Sequence, residues 1–122
     1  MIPQEADEQE ALISWARMSV GRHPELSLLF HIPNGGKRDA RTAAILQRQG
    51  VLPGVPDLFL PVCRGGYAGL FVEMKRKKGG RVSPDQRNFI DIVRREGYRA
   101  EVCHGFDEAK TLIENYLRGE PE

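Results

Sequence analysis

Hydrophobic and polar positions divide the first half of the chain into helical and strand-like segments. From Gln4 to about Val20, apolar residues recur at helical spacing behind a run of acidic residues, which predicts a first helix. The run LSLLFHIP, which ends in proline and is followed by NGG, predicts a short strand and a turn. The segment RDARTAAILQRQG predicts a second helix that ends at Gly50.

Two apolar runs in the middle of the chain, PDLFLPV and AGLFVEMK, flank the glycine-containing sequence CRGGY. This arrangement predicts a β-hairpin. Both runs are apolar at nearly every position, which favours burial of both sheet faces by helices.

The last third of the chain predicts a helix, a strand and a closing helix. Ser83 as N-cap, Pro84 at the first helical position and Gln86 at the third form a capping box for SPDQRNFIDIVRREG, which ends at Gly97. YRAEVCHG then predicts a fourth strand, and FDEAKTLIENYL predicts a closing amphipathic helix. The order α-β-α-β-β-α-β-α indicates an α/β fold with a mixed central sheet of about four strands covered by helices.

Composition is that of one globular domain over residues 1–122, with 40% hydrophobic and 29% charged residues. The net charge of +1 gives no argument for nucleic-acid binding, so only local clusters of basic residues could indicate it. Two occur, one following "HIPNGG" and one following Glu73; they are Lys37, Arg38 and Arg41, and Lys75, Arg76, Lys77, Lys78 and Arg81. Few aromatic residues are present, so base stacking is expected to be a minor theme.

Other site classes find little support. Cys63 and Cys103 form no CxxC pattern and have no histidine pair at ligand spacing, so we expect reduced, partly buried thiols rather than a zinc or redox site. No segment has the apolar length of a membrane span, and the N-terminus lacks the pattern of a signal peptide. The expected location is the cytoplasm, with no membrane partner.

Asp57 and Glu73 are acidic residues inside the two predicted hairpin strands, where an unpaired charge is costly to bury. A turn centred near Gly65 would place them directly opposite each other, with Cβ atoms about 4.5–5.5 Å apart. Like charges in this position are destabilising unless they are neutralised, and a divalent cation fits the gap. Lys75 projects to the same face as Glu73, because side chains alternate along a strand.

This convergence suits phosphodiester hydrolysis. Oxygen ligands hold Mg²⁺ or Mn²⁺, the ion polarises the phosphate and activates a water, and Lys75 orients or deprotonates that water. Taken one at a time, each acidic residue is more simply read as solvated surface, and a bulge in the loop would shift the register.

The ordered stretches GVPDLFLPV, GLFVEMKR and SPDQ closely resemble the virus-type replication-repair nuclease (VRR-NUC) family of the PD-(D/E)XK nuclease superfamily. EADEQEALISWA resembles that family's first helix, HIPNGGKRD its loop after the first strand, and YLRGE the end of its last helix. The resemblance covers most of the chain and implies a restriction-endonuclease-like fold.

The resemblance also implies a set of site residues. They are a metal core of Asp57, Glu73 and Lys75, the Met74 carbonyl as an additional ligand, Gln86 near the active site, and a first-helix glutamate for which we select Glu5. Glu5 stands four residues before Gln9, on one helix face with it. Glu8 is the rival, and a favourable charge at a helix N-terminus is the plain alternative for either. Gln86 has an equally plain alternative as a capping-box residue.

DNA is the partner that these residues imply. His31 and Asn34 are expected near the site, and six basic residues are expected to contact DNA phosphates. The basic residues are Lys37, Arg38, Arg41, Arg76, Lys77 and Lys78. The interpretation is a structure-selective DNA endonuclease for branched or junction DNA in replication, recombination or repair. The family resemblance implies a homodimer. The alternatives are a non-catalytic DNA-binding or nuclease-accessory module with the same fold, and a His-metal nuclease built on His31.

Overall fold

Within the described residues, four α-helices and four strands follow one another in the order that the hydrophobic pattern predicts. The structure is a computed structural model, and it describes residues 4–33 and 39–119. The elements are α1 (Glu5–Met18), a 3-10 helix (Pro24–Leu28), β1 (Phe30–His31), α2 (Ala40–Arg48), β2 (Leu58–Leu60), β3 (Leu70–Lys75), α3 (Pro84–Arg95), β4 (Arg99–His104) and α4 (Phe106–Leu117).

The strands form one mixed sheet in the order β1-β2-β3-β4. The pairs β1–β2 and β2–β3 are antiparallel, and β3–β4 is parallel because α3 returns the chain between them. The α/β class and the mixed sheet of four strands are therefore confirmed.

The hairpin has the predicted register. Leu58 pairs with Val72, and Leu60 pairs with Leu70, so the turn is centred on Gly65. Gly65 and Gly66 have φ values of +58° and +88°, a conformation that suits the tight connection between the strands.

Helices cover both faces of the sheet, as the apolar strands predict. On one face, inward residues of β2 and β3 pack with α1, α4 and the 3-10 helix around a core; its members include Leu12, Leu26, Leu58, Val72, Met74 and Ile113. On the opposite face, α3 packs against β4 and its Phe89 meets Phe71 of β3. By contrast, α2 buries none of its residues.

The predicted strand LSLLFHIP is mostly wrong. Pro24–Leu28 form a 3-10 helix, and only Phe30–His31 are strand. Leu26 and Leu29 are both fully buried, while Leu28 and Phe30 are exposed. A three-residue spacing puts two leucines on one side of a 3-10 turn, whereas a strand would alternate. Pro24 starts that turn, and its carbonyl accepts a hydrogen bond from the Ser27 hydroxyl.

The two cysteines are free thiols, as expected, but they differ in burial. Cys103 is buried in β4, whereas Cys63 is exposed in the hairpin loop, so the prediction of partial burial is wrong for Cys63. Burial raises the pKa of the Cys103 thiol to about 12. None of the helices in the described ranges has the length and apolar character needed to cross a bilayer.

Candidate active site

Asp57 and Glu73 lie across from each other on the sheet face that α3 covers. Asp57 directly precedes β2, and continuing the β2–β3 register by one residue places it opposite Glu73. Leu58 and Val72, the adjacent residues, point to the core on the other face. Both carboxylates therefore project to the same side, as the sequence predicts.

Asp57 is held in place by hydrogen bonds to both neighbouring strands. Its Oδ2 accepts the Met74 backbone N–H at 2.8 Å, which fastens the carboxylate to β3. Its carbonyl accepts the Ile32 N–H at 2.7 Å and lies 2.8 Å from Nδ1 of His31. Because a carbonyl oxygen can only accept, the Nδ1 of the exposed His31 carries the hydrogen in this contact.

Glu73 and Lys75 form a buried ion pair. The Lys75 Nζ lies 3.3 Å from the Glu73 Oε2, and their side chains are 8% and 4% exposed. The pKa of Glu73 is raised from 4.5 to about 7, first by burial and then by the negative charge of Asp57, against which Lys75 acts. The two carboxylates repel each other when both are ionised, and a cation bound between them would remove this repulsion.

Gln86 completes the predicted capping box and also contacts Glu73, while its role in an active site stays a prediction. Its backbone N–H donates to the Ser83 hydroxyl at 3.1 Å, and its Oε1 accepts the Ser83 N–H at 2.9 Å, which completes the capping box. Its Nε2 donates to Glu73 Oε2 at 3.1 Å. The amide thus joins the start of α3 to the carboxylate on β3.

A small cleft of about 130 Å³ opens in front of these carboxylates; it is lined by Gly54, Val55, Asp57, Glu73, Ser83, Asp85 and Gln86. Gly54 brings the segment before β2 against the first turn of α3. Its φ is +86°, and an added Cβ would lie 2.4 Å from the carbonyl carbon and oxygen of Asp85. Only glycine allows this approach.

Asp85 and Gly54 are the site residues that sequence reasoning missed. Asp85 is an exposed carboxylate that lines the cleft, within the SPDQ sequence whose capping residues and family resemblance drew attention to Ser83 and Gln86 but not to Asp85. Gly54 lies in GVPD, where a glycine three residues before the acidic residue was the available signal.

The two first-helix candidates differ sharply in environment. Glu5 is exposed at the first position of α1. Glu8 is 5% exposed, and its Oε2 accepts the Phe106 N–H at 2.8 Å, which caps the start of α4 on the core face of the sheet. Its Oε1 lies 4.0 Å from the Lys77 Nζ. The choice of Glu5 as a ligand stays a prediction.

Besides His31, which contacts the Asp57 carbonyl, seven other residues are substrate-binding candidates. Arg76, Lys77 and Lys78 are exposed directly after β3, beside the ion pair, and Arg41 is exposed on α2. Asn34, Lys37 and Arg38 lie outside the described residues. The main chain after β3 is tied to β4, because Gly105 N–H donates to the Lys75 carbonyl at 2.9 Å and His104 Nδ1 lies 3.1 Å from the Arg76 carbonyl.

The donor set at the cleft fits a hard divalent cation. Within residues 4–33 and 39–119, no three His, Cys, Asp or Glu side chains form a metal-binding cluster. Mg²⁺ commonly uses one or two carboxylates and completes its shell with water and substrate phosphate, so Asp57 and Glu73 meet its needs. Zinc, which prefers three or four nitrogen and sulfur ligands, does not match.

Comparison with known proteins identifies the family. The family model of the VRR-NUC domain matches residues 2–107. The chain belongs to the VRR-NUC domain family. A solved structure described as a VRR_NUC domain protein superposes with a TM-score of 0.83 at 28% identity, over 98% of this chain and 92% of that one. A search of curated proteins finds no match.

Family membership makes the chain a nuclease-type DNA-processing domain. VRR-NUC nucleases generally need a divalent metal, which agrees with the oxygen donors at the cleft. Asp57 and Glu73 line the cleft, and Lys75 pairs with Glu73; their role in holding such a metal stays a prediction.

Proposed function

We propose that this VRR-NUC domain is a Mg²⁺- or Mn²⁺-dependent deoxyribonuclease that hydrolyses phosphodiester bonds in branched or junction DNA during replication, recombination or repair. One observation carries the proposal: Asp57 lies opposite the buried Glu73 at a cleft open to solvent. The pKa of Glu73 is raised to about 7 in this position. Like charges directly opposite each other on two strands are destabilising unless they are neutralised, which favours a bound cation here.

Each residue has a defined part in the proposed reaction. Asp57 and Glu73 would hold the ion, with the Met74 carbonyl and Glu5 as further ligands. The bound ion would polarise the phosphate and lower the pKa of a water. Lys75 would orient or deprotonate that water, and Gln86 keeps the Glu73 carboxylate oriented through the 3.1 Å hydrogen bond.

DNA is held by contacts to its backbone. The exposed basic residues after β3, Arg76, Lys77 and Lys78, follow the catalytic strand directly, so they can neutralise phosphates flanking the cleft. Arg41, Lys37, Arg38, His31 and Asn34 complete the proposed substrate contacts. We further propose a homodimer with two matched sites for junction DNA, acting in the cytoplasm of a bacterial or phage-infected cell.

Cleavage of a labelled four-way junction, a flap and plain duplex, each with Mg²⁺, Mn²⁺ or EDTA, tests this function. Asp57→Asn is the decisive variant, because its amide oxygen can still accept the Met74 N–H and preserve the fold while the charge is lost. We expect metal-dependent cleavage to fall by roughly 100-fold or more, since charge stabilisation by the metal is worth several kcal/mol. Asp91→Asn, which changes an exposed carboxyl on α3, is the matched control.

The alternatives give different results in the same assay. A non-catalytic accessory module would bind these DNAs without cutting them in any metal. Cleavage that survives Asp57→Asn would refute the proposed site. Loss in His31→Ala with retention in Asp57→Asn would indicate a His-metal nuclease instead.

A further inference from the structure

Five aromatic rings gather on the sheet face that carries Asp57 and Glu73. Phe59 stacks on Phe71 with centroids 4.4 Å apart, and Phe30 meets Phe59 edge to face at 6.0 Å. Phe89 and Tyr98 extend the cluster, each 5.5 Å from Phe71. The chain has nine aromatic residues, so more than half of them lie on this one face of the sheet.

The aromatic row formed by Phe30, Phe59 and Phe71 lies next to the acidic pair formed by Asp57 and Glu73. Phe59 and Phe71 each stand two residues along their strands from Asp57 and Glu73, on the same face. Two residues of strand span roughly 6.5 Å. Phe30 pairs with Phe59 across β1–β2, so its Cα lies about 8 Å from that of Asp57. That separation is comparable to one nucleotide of an unpaired strand.

Phe30 is the member of the row that faces solvent. Its neighbours Phe59, Phe71, Phe89 and Tyr98 are half-buried, whereas Phe30 is 45% exposed on the edge strand. Its neighbour His31 contacts the Asp57 carbonyl, so the two-residue strand β1 connects the exposed ring directly to the candidate ligand.

We propose that Phe30 stacks on an unpaired nucleobase of the DNA substrate, next to the phosphate that enters the cleft. The inference rests on the proposed function and narrows its substrate class to DNA with an unpaired nucleotide beside the cleavage site. A base in a duplex keeps its own stacking partners, so a single exposed ring gains contact only with a base that has left the stack. Stacking needs no sequence readout, which suits structure selectivity.

Equilibrium binding tests the proposal without relying on cleavage. Fluorescence anisotropy would measure affinity in EDTA for a labelled duplex, the same duplex with a single-stranded flap, and that flap made abasic at the nucleotides next to the branch. Abasic nucleotides keep the phosphates and remove the stacking surface. We expect Phe30→Ala to weaken binding of the intact flap by roughly 5- to 50-fold, and to leave binding of the duplex and the abasic flap unchanged.

Two further variants separate stacking from general effects. Phe30→Tyr keeps a ring and should retain flap affinity, whereas Phe30→Leu keeps apolar volume and should lose it. Met18→Ala removes another exposed apolar side chain, at the end of α1, and should have no effect. Thermal melting and circular dichroism confirm that each variant folds.

Three results would overturn the inference. Equal loss on intact and abasic flaps would assign Phe30 to general binding or folding. Unchanged flap affinity in Phe30→Ala would leave the ring without a role in binding. A drop in oligomeric mass in Phe30→Ala, measured by sedimentation, would make the ring a contact between two copies of the chain. If Asp57→Asn kept its cleavage while the Phe30 effects held, the proposed catalytic site alone would fail.

Discussion

Replacing Glu8 distinguishes a structural carboxylate from a metal ligand. Its Oε2 accepts the Phe106 N–H at 2.8 Å from a position only 5% exposed, so truncation leaves the start of α4 without its acceptor. Gly105, the N-cap residue of α4, supplies no side-chain cap of its own. Glu8 therefore supplies the side-chain acceptor for the Phe106 N–H, while Glu108 of the first turn accepts the preceding His104 N–H at 2.8 Å.

The magnitude follows from the contacts. A hydrogen bond to a charged group contributes about 1.5–3 kcal/mol, and a negative charge at a helix N-terminus adds about 0.3–1 kcal/mol. The 4.0 Å contact with the half-exposed Lys77 adds little. We expect Glu8→Ala to lower the free energy of unfolding by about 2–3 kcal/mol, which corresponds to a Tm about 8–15 °C lower for a chain of this size.

The assay is thermal unfolding followed by circular dichroism, with cleavage measured in parallel. Glu8→Gln keeps an oxygen acceptor for the Phe106 N–H and should lose only about 1 kcal/mol. Glu10→Ala removes an exposed charge from the same helix and should change stability by less than about 0.5 kcal/mol.

Two outcomes would contradict this reasoning. An unchanged Tm in Glu8→Ala would show that the cap contributes nothing to folding. A well-folded Glu8→Gln protein that has lost metal-dependent cleavage, beside an active Glu5→Ala protein, would make Glu8 the first-helix ligand in place of Glu5.

Two further predictions concern the cleft. Gly54→Ala should lower both stability and metal affinity. The control Gly50→Ala, at a φ of +106° with open space around the added Cβ, should show only the strain of positive φ. Equal effects of the two variants on metal binding, measured by calorimetry, would refute the role of the close approach between Gly54 and Asp85. The pKa of the Glu73 carboxyl is about 7 in the folded chain, against an ordinary value of 4.5, so the folded chain holds a proton that the unfolded chain releases. The free energy of unfolding of the metal-free protein should therefore fall as the pH rises from 4.5 to 7, and this group should have no further effect above pH 7. Glu73→Gln should abolish this dependence when thermal melting is measured across the pH range.

Local sequence signals predicted much of the frame of the site. The capping box at Ser83 and Gln86 depends on residues within one helical turn, and the structure has both of its hydrogen bonds. The hairpin register follows from two apolar runs placed symmetrically about Gly65, and it set Asp57 opposite Glu73. Side-chain alternation then put Lys75 within 3.3 Å of Glu73.

Other features depended on contacts between residues distant along the chain. The run around Leu26 and Leu29 is apolar enough for a strand, but burial against the core selected a 3-10 turn. Glu5 and Glu8 look alike in sequence, and only the packing of α1 against α4 gives Glu8 a backbone donor 98 residues away. Period and propensity carry no information about such partners.

Residue spacing within single strands, turns and helices was enough to predict the order of the elements, the hairpin register and the acidic pair. The packing of α3 over that pair, with Gly54 against Asp85 and Gln86 on Glu73, depends on contacts between distant parts of the chain. Tertiary structure also assembled Phe30, Phe59 and Phe71 into one row beside the carboxylates. These arrangements depend on how the elements pack in three dimensions, and on the burial that raises the pKa of Glu73, neither of which any short stretch of residues encodes.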